Sequence, residues 1–259
     1  STARSPQQMF GSIAKSYWAE KMGIPREKLV VVSIMPCLAK KYECARDEFK
    51  VNGIPDVDYS ISTRELARLI KRANIGFPLV LDSPFDNPMG ESTGAGVIFG
   101  TSGGVMEAAL RSAHYLVTGR NPDPDAFKIV RSPSFETGVV EAEVQIGDAT
   151  IRAAVVSGLG NVRKLLEAIE HGEVHYDFVE VMACPGGCVG GGGQPIHDGE
   201  ELAHTRGANL YFLDKNAKIR FSHENQDVMK LYSDFLEKPL SHKSHMLLHT
   251  DHTKWEMPR

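Results

Sequence analysis

One segment, residues 180–195, constrains this chain more than any other. It reads Glu-Val-Met-Ala-Cys-Pro-Gly-Gly-Cys-Val-Gly-Gly-Gly-Gly-Gln-Pro, so it holds Cys184, Cys188 and four consecutive glycines. Thiolates at this spacing can reach one zinc ion, one copper(I) ion or one iron–sulfur cluster from a single turn. The glycines remove side chains where the backbone must approach something bulky. Because apolar Val179, Val181 and Met182 come just before, we expect the site at the exit of a buried strand.

Composition narrows the class of protein. The chain has 259 residues and a net charge of -4, so bulk charge does not indicate nucleic-acid binding, and its apolar runs are too short for a membrane span. Its start shows no signal peptide, and residue 1 is Ser, so we interpret it as a processed end or the start of a fragment. We expect the cytoplasm, or the periplasm if a signal lies upstream. Four cysteines in this length favour a metal site or a reactive thiol over a disulfide framework.

Hydrophobic periodicity predicts alternating helices and strands. Met9, Ile13 and Tyr17 recur at helical spacing, and Ser62 with Glu65 forms a capping box before another helix. The predicted helices cover about residues 6–18, 63–73, 104–117, 158–170 and 225–236. The predicted strands cover residues 29–34, 59–62, 128–131, 138–146, 151–156 and 178–182, with a turn at Gly147-Asp148. This alternation is typical of an α/β or α+β fold.

A third cysteine, Cys37, follows another apolar run and lies far from Cys184 and Cys188 in sequence. Two strand ends in one sheet can bring such cysteines to one cleft. Three thiolates with few histidines nearby in sequence suit an iron–sulfur cluster better than a single catalytic zinc ion. The alternatives are buried structural thiols, or half of a zinc site in an interaction module. Cys44 is better explained as a packed thiol than as a ligand.

The two cysteine motifs resemble a known family. The pattern Met35-Pro36-Cys37-x-x-Lys40-x-x-Glu43, together with the segment 180–195, is similar to the second and third signatures of the iron-only (FeFe) hydrogenases. Further segments match the catalytic domain in order, including residues 5–8, 63–67, 89–96, 98–111 and 222–225, so the resemblance covers nearly the whole chain. It implies an α/β catalytic domain with two sheet-and-helix lobes around a buried cluster cleft, incomplete in this chain.

The resemblance implies an H-cluster as the cofactor. In that family a 4Fe–4S cubane is held by four cysteines and bridged to a diiron unit that carries CO, cyanide and a bridging dithiolate amine. By motif, Cys37, Cys184 and Cys188 would be metal ligands, with Cys188 as the bridge. The reaction implied is the reversible reduction of protons to H2.

The resemblance also implies which side chains surround the cofactor. Lys40 would donate a hydrogen bond to one cyanide, and the backbone beside Pro36 would help to hold another diatomic ligand. Met35, Met182, Phe99 and Gln7 would line the pocket. Without the motifs, the two methionines would be core residues. Glu43 either supports this site or simply pairs with Lys40 or Arg46.

One part of the family pattern is absent. The first signature, a Thr-Ser-Cys-Cys-Pro run, supplies the remaining cubane ligand and a proton-shuttling cysteine, and no such run occurs here. Ser1 matches a serine of the family's proton path. We therefore interpret residues 1–259 as the C-terminal part of a hydrogenase catalytic domain, inactive alone, with residues 240–259 as a docking tail. The expected partners are an upstream segment or chain carrying the missing signature and ferredoxin or a similar electron carrier.

Other interpretations remain open for several residues. A non-catalytic relative, either an iron–sulfur assembly factor or a redox sensor, is the alternative function. Glu180, an acid within an apolar run, is expected to have a buried partner. His242, His245, His249 and His252 share a helical spacing that fits a metal site, although a packed docking tail explains it better. The glycines of residues 90–104 do not predict a phosphate loop, because no Lys-Ser/Thr pair follows them.

Overall fold

The structure is a computed structural model that describes residues 1–131 and 138–251. It divides into two compact units: the first contains residues 1–90 and the described residues from 227 onward, and the second contains residues 91–226. Each unit combines helices with small sheets, so the fold is mixed α/β, as predicted. None of the helices in the described residues is both long enough and apolar enough to cross a membrane.

The N-terminal helix opens the first unit. Pro6 occupies its first turn, and the Ser5 hydroxyl caps it by accepting from the Gln8 N–H. The helical elements up to residue 90 are α1 Pro6–Ile13, a π-helical turn Ala14–Trp18, α2 Ala19–Lys21, α3 Ala39–Ala45, α4 Thr63–Arg72, and 3-10 turns Arg26–Lys28, Asp47–Phe49 and Phe77–Leu79. The helix predicted over residues 6–18 is thereby confirmed.

Short strands complete the first unit. They are β1 Val32–Met35, β2 Lys50–Val51, β3 Ile54–Pro55 and β4 Tyr59–Ser62. β1 pairs with β4 in parallel, with Val32 opposite Tyr59 and Met35 opposite Ser62. The capping box predicted at Ser62 and Glu65 is present and starts α4 directly from the end of β4. Because parallel strands end at the same edge, the residues after Met35 lie near the start of α4.

A C-terminal segment packs on the first helix. Its elements are α9 Gln226–Leu231, a π-helical turn Tyr232–Leu236 and α10 His242–Leu248. Ile13, Leu236 and Leu248 form the buried core between them. Arg4 joins the chain's first residues to the end of α10: its backbone N–H donates to Leu248, and its guanidinium donates to the carbonyl oxygens of Met246 and His249, each at 2.9 Å. A cation at a helix C-terminus also complements the helix dipole.

The second unit is built around a three-stranded sheet. Its strands are β5 Val139–Ile146, β6 Ala149–Ser157 and β7 Phe178–Met182, and its helices are α5 Gly94–Val97, α6 Gly104–Thr118, α7 Leu159–Glu170 and α8 Ala203–Lys215. 3-10 turns cover Ile98–Gly100, Lys128–Val130, Cys188–Gly190 and Ser222–Glu224. β5 and β6 form the predicted antiparallel hairpin. β6 pairs in parallel with β7, and α7 lies between these two strands in the chain.

Alternating residues of β6 face two different helices. Ala153 and Val155 share a buried core with Met106 and Leu110 of α6, whereas Ala154 and Val156 pack with Leu165 of α7. The sheet is therefore covered on both faces, which is the usual environment of a parallel pair.

Two expectations about strands were wrong. Residues 128–130 form a 3-10 turn, because the Lys128 and Val130 N–H groups donate to carbonyls three residues back instead of to a neighbouring strand. The strands that precede Cys37 and Cys184 also belong to different sheets, β1 with β4 and β7 with β6, so they do not share one sheet.

Candidate functional site

The segment with Cys184 and Cys188 is a series of tight turns that begins where β7 ends. The Gly187 N–H donates to the Cys184 carbonyl at 3.0 Å, the Gly190 N–H to Gly187 at 3.0 Å, and the Gly191 N–H to Cys188 at 2.9 Å. Both cysteines are partly exposed. All four cysteines of the chain lie in its described part, and none of them forms a disulfide.

Gly187 allows this loop to approach a neighbouring backbone. Its φ is +90° and its ψ is -157°, a region that is essentially restricted to glycine. A Cβ atom here would lie 2.7 Å from the Ser102 nitrogen and 2.8 Å from the Thr101 carbonyl carbon. The Ser102 N–H also donates to the Gly186 carbonyl at 3.0 Å. Residues 101–102 thus form one wall of the cysteine loop.

Glu180 ties the strand before the loop to the start of α6. Its side chain is buried, and its two carboxylate oxygens accept from the Gly103 N–H at 2.7 Å and the Met106 N–H at 2.6 Å. Burial raises the pKa of Glu180, while these backbone hydrogen bonds oppose the rise. The buried partner expected for this acid is therefore the N-terminus of α6.

Two other residues assigned by motif belong to the same unit. Phe99 is half-buried and lies in the 3-10 turn Ile98–Gly100, which ends immediately before Thr101. Met182 is the last residue of β7 and is also half-buried; its carbonyl accepts from the Gly158 N–H at 2.9 Å. The wall at Thr101 and Ser102 was not predicted, although the paired glycines after it are a signal of close packing.

The first unit places Cys37 between a strand and a helix. β1 ends at Met35, Pro36 and Cys37 follow, and α3 begins at Ala39. Met35, Pro36, Cys37 and Lys40 are all partly buried. The Lys40 Nζ donates to Glu43 Oε1 at 3.1 Å within α3. The lysine therefore emerges one turn after the cysteine.

Glu43 orders several of the candidate residues in this unit. Its second oxygen, Oε2, accepts from the Ser5 hydroxyl at 2.9 Å and from the Gln7 Nε2 at 3.0 Å. The Gln7 Oε1 accepts in turn from the Ser33 hydroxyl at 2.6 Å. Glu43 thus pairs with Lys40 and also fixes Gln7, whereas Arg46 pairs with Glu48 at 2.5 Å. The hydrogen bonds from Ser5 and Ser33 were not anticipated from the sequence.

Cys44 and Ser1 differ in their surroundings. Cys44 is buried, the Gln7 Nε2 donates to its sulfur at 3.3 Å, and burial raises the pKa of its thiol, which agrees with a packed thiol. Ser1 is exposed, and its hydroxyl oxygen accepts from the Ala3 N–H at 3.2 Å.

The C-terminal histidines pack against the start of the chain. The rings of His245 and His249 stack with centroids 4.3 Å apart, and the His249 Nδ1 lies 2.9 Å from the Thr2 hydroxyl. Burial lowers the pKa of His249. His242 begins α10, and His252 lies outside the described residues.

The cysteine loop offers donors of the kind that bind iron–sulfur clusters. In residues 1–131 and 138–251 there is no group of three or more His, Cys, Asp or Glu side chains placed to hold a metal ion. The cysteine loop itself offers two thiols, glycine-rich backbone and little bulk, which suits a large inorganic group. Beside it, the buried Ser102 hydroxyl has no hydrogen-bond partner within the described residues. The residues present therefore fit such a group.

Two family models and several known proteins match this chain. Residues 1–192 match the family model "Iron only hydrogenase large subunit, C-terminal domain", and residues 200–255 match "Iron hydrogenase small subunit". The chain is 57% identical over 255 residues to the NADP-reducing hydrogenase subunit HndD of Solidesulfovibrio fructosivorans, covering 98% of this chain and 43% of that protein. It is 31% identical over 259 residues to the cytosolic Fe-S cluster assembly factor narfl of Xenopus tropicalis, covering 97% and 53%.

A solved structure of an FeFe-hydrogenase has a fold similar to that of this chain. Apo FeFe-hydrogenase HydA1 from Chlamydomonas reinhardtii has a TM-score of 0.81 and 40% identity, with 96% of this chain and 69% of that chain covered. This chain spans about half the length of the relatives named above. Because the large-subunit model covers most of the sequence and the fold agrees, the chain belongs to the iron-only hydrogenase family.

Proposed function

We propose that this chain is part of an FeFe hydrogenase that catalyses the reversible reduction of protons to H2 at an H-cluster. The observation that carries the proposal is a hydrogen-bonded group near Cys37 in the first unit: Lys40 and Glu43, which follow the cysteine in α3, and Gln7 of α1. A structural thiol needs no ordered lysine beside it. A cofactor with anionic ligands does.

Cys37, Cys184 and Cys188 are the proposed cluster ligands. Thiolates are the usual ligands of iron in such clusters, and a 4Fe–4S cubane requires a fourth. We propose that the fourth comes from an upstream segment of the same protein or from another chain. When bound, the cofactor supplies the site at which H2 is formed or split. The protein supplies placement, proton delivery and exclusion of water.

Lys40 is proposed to donate a hydrogen bond to an anionic cofactor ligand, and Glu43 to position it. The ammonium keeps two of its three N–H bonds for other acceptors after it donates to Glu43. The half-buried thioethers of Met35 and Met182 and the ring of Phe99 are proposed to exclude water, and Gln7 to contact the cofactor. The main chain at Pro36 offers no N–H of its own, so only its neighbours can donate.

The Ser1 hydroxyl is proposed to take part in proton transfer to the cofactor. Its hydroxyl can accept one proton and donate another, and its exposure gives access to water. Electrons are proposed to come from ferredoxin or a similar carrier; the relative HndD is named as a subunit of an NADP-reducing hydrogenase. We propose the cytoplasm as the compartment.

A second candidate is a non-catalytic role in iron–sulfur assembly or redox sensing. Similarity to the assembly factor supports it. The presence of Lys40, Met35 and Met182 favours the hydrogenase over the assembly factor. These side chains are proposed to contact the diiron unit, and a protein that binds only a cubane would not need them.

The two candidates are separated by infrared spectroscopy and H2 evolution. The full-length protein, matured with the diiron unit, is expected to show CO and cyanide bands and to evolve H2 from a reduced donor. Lys40→Met should lose both, whereas Lys41→Met, whose lysine pairs with exposed Glu65, should keep both. Wild-type protein that contains iron but shows no such bands would support an assembly role. Bands without H2 evolution would support a sensor.

A further inference from the structure

The cysteine loop and the strand before it contact one short segment of the same unit at several points. Glu180 binds the N–H groups of Gly103 and Met106, the Gly186 carbonyl accepts from Ser102, and Gly187 packs on the backbone of residues 101–102. These contacts bracket Cys184 in the sequence. We propose that Glu180 is a positioning residue that holds the exit of β7 against α6 and thereby sets the geometry of Cys184 and Cys188. The proposal rests on the function proposed above, in which both cysteines bind iron.

The position of Glu180 in β7 argues against a purely packing role. The neighbours Val179, Val181 and Met182 are apolar, and an apolar residue at 180 would be simpler to bury. A carboxylate without partners is costly in the interior, but two helix N-terminal N–H groups and the positive end of the helix dipole offset that cost. They also impose a direction, because each oxygen accepts from a backbone N–H at 2.6–2.7 Å. An apolar contact imposes no such direction.

Glu180 is close enough in sequence to Cys184 and Cys188 to affect the positions of these two cysteines. Beyond Glu180, β7 continues for two residues to Met182, which pairs with Ser157 of β6, and the cysteine follows two residues later. A rotation of the strand at residue 180 would therefore also move Cys184, because the few residues between them cannot absorb it. The same α6 terminus follows Phe99 by a few residues, so one carboxylate relates the cysteine loop to the aromatic residue proposed to line the cofactor.

Glu180→Gln tests the anchor most directly, because it keeps the size and shape of the side chain and changes only its charge and hydrogen-bonding groups. The amide has one accepting oxygen, and its NH2 group would face a backbone N–H donor. One of the two helix N–H groups therefore loses its acceptor, and the strand exit is expected to loosen. Where Glu180→Gln does not fold, Glu180→Asp keeps the charge but withdraws the oxygens by one methylene and tests the same contact.

The matched control must destabilise the unit without removing a hydrogen bond of the anchor. Val144→Ala opens the buried core that β5 shares with α6, including Met106, but an apolar side chain makes no hydrogen bond to Glu180. Glu170→Gln, at an exposed position of α7, controls for the loss of a carboxylate. All variants are compared well below their thermal midpoints, so that global unfolding does not contribute.

The first readout is thiol reactivity in the full-length protein before it is loaded with iron. Iodoacetamide labelling followed by peptide mass spectrometry gives the rate at each cysteine. Glu180→Gln is expected to raise the rates at Cys184 and Cys188 by about fivefold, the factor that one lost hydrogen bond produces in a local opening equilibrium, and to leave Cys37 unchanged. Val144→Ala and Glu170→Gln should match the wild type at all three positions.

The second readout is the electron paramagnetic resonance spectrum of the reduced, reconstituted cluster. Glu180→Gln should shift or multiply the signals, whereas Val144→Ala should reproduce the wild-type spectrum. Equal labelling rates and spectra for Glu180→Gln and Val144→Ala would overturn the positioning role. If the wild type takes up no iron, the proposed function fails, but the labelling comparison still decides whether Glu180 orders the loop.

Discussion

Replacing Gly187 by alanine tests how closely the cysteine loop is packed. The residue combines a backbone conformation reserved for glycine with a Cβ position 2.7–2.8 Å from two backbone atoms. Strain of this kind costs about 1–3 kcal/mol, and the clash with a main chain that cannot rotate away adds to it, so we expect Gly187→Ala to lose roughly 3–5 kcal/mol. At about 2–4 °C per kcal/mol, the midpoint should fall by roughly 6–20 °C.

Two other glycines supply matched controls. Gly172 has a φ of +73° but nothing within 4 Å of its Cβ position, so Gly172→Ala should cost only about 1 kcal/mol. Gly160, in α7, has open space and an ordinary φ, so Gly160→Ala should stabilise by about 0.4–1 kcal/mol.

The assay is thermal unfolding followed by circular dichroism, with iron content measured after reconstitution. Gly187→Ala should unfold at the lowest temperature of the three and should bind less iron, because the loop must move off Ser102 to make room. If Gly187→Ala and Gly172→Ala lose the same stability, the close approach of the loop to residues 101–102 is refuted. If Gly187→Ala is less stable but binds iron normally, the loop does not depend on this contact for its ligand geometry.

Three further predictions concern other parts of the chain. Arg111→Met removes a fully buried guanidinium from two carboxylates that keep other arginine partners, so stability should fall by about 3 kcal/mol in urea unfolding, whereas the exposed Lys230→Met should cause no measurable change. Arg4→Met should release α10, seen as faster hydrogen exchange in residues 242–248, with a loss of about 2–4 kcal/mol; unchanged exchange there would contradict the anchoring role of Arg4. Burial raises the pKa of Tyr211 to about 12, so the folded state should lose stability as pH rises from about 10 to 12, and Tyr211→Phe should lose less; ultraviolet titration of the phenol checks this.

Local signals in the sequence predicted much of the fold. The capping box at Ser62, the hairpin at Gly147-Asp148 and the strand–helix–strand unit that ends in β7 all follow from short-range patterns, and all are present. α8 was not predicted, because it has no apolar stripe: Phe212 and Leu213 are exposed, while Asp214 is buried. That helix is held by ion pairs to Arg111 and Arg220, which no periodicity can reveal.

The sequence predicted some features of the candidate site but not their connections. Cysteine spacing predicts the cluster ligands, and that assignment stays a prediction. An acid in an apolar strand predicted a buried partner, which the structure shows. That the partner is the start of α6 depends on tertiary packing between residues far apart in sequence. The link from Glu43 to Ser5 and Gln7 is similar, because it joins two helices that periodicity treats separately.

The pairing of Glu180 with Gly103 also bears on how the protein is made. The carboxylate is 77 residues downstream of the N–H group that it accepts from. At roughly 5–20 residues per second, a ribosome needs about 4–15 s to cover that distance, and during this time α6 has no acceptor from β7. The cysteine loop thus takes its final shape late in the synthesis of the second unit. An iron donor that acts on the nascent chain would meet a loose loop, whereas one that acts on the released protein would meet a formed one.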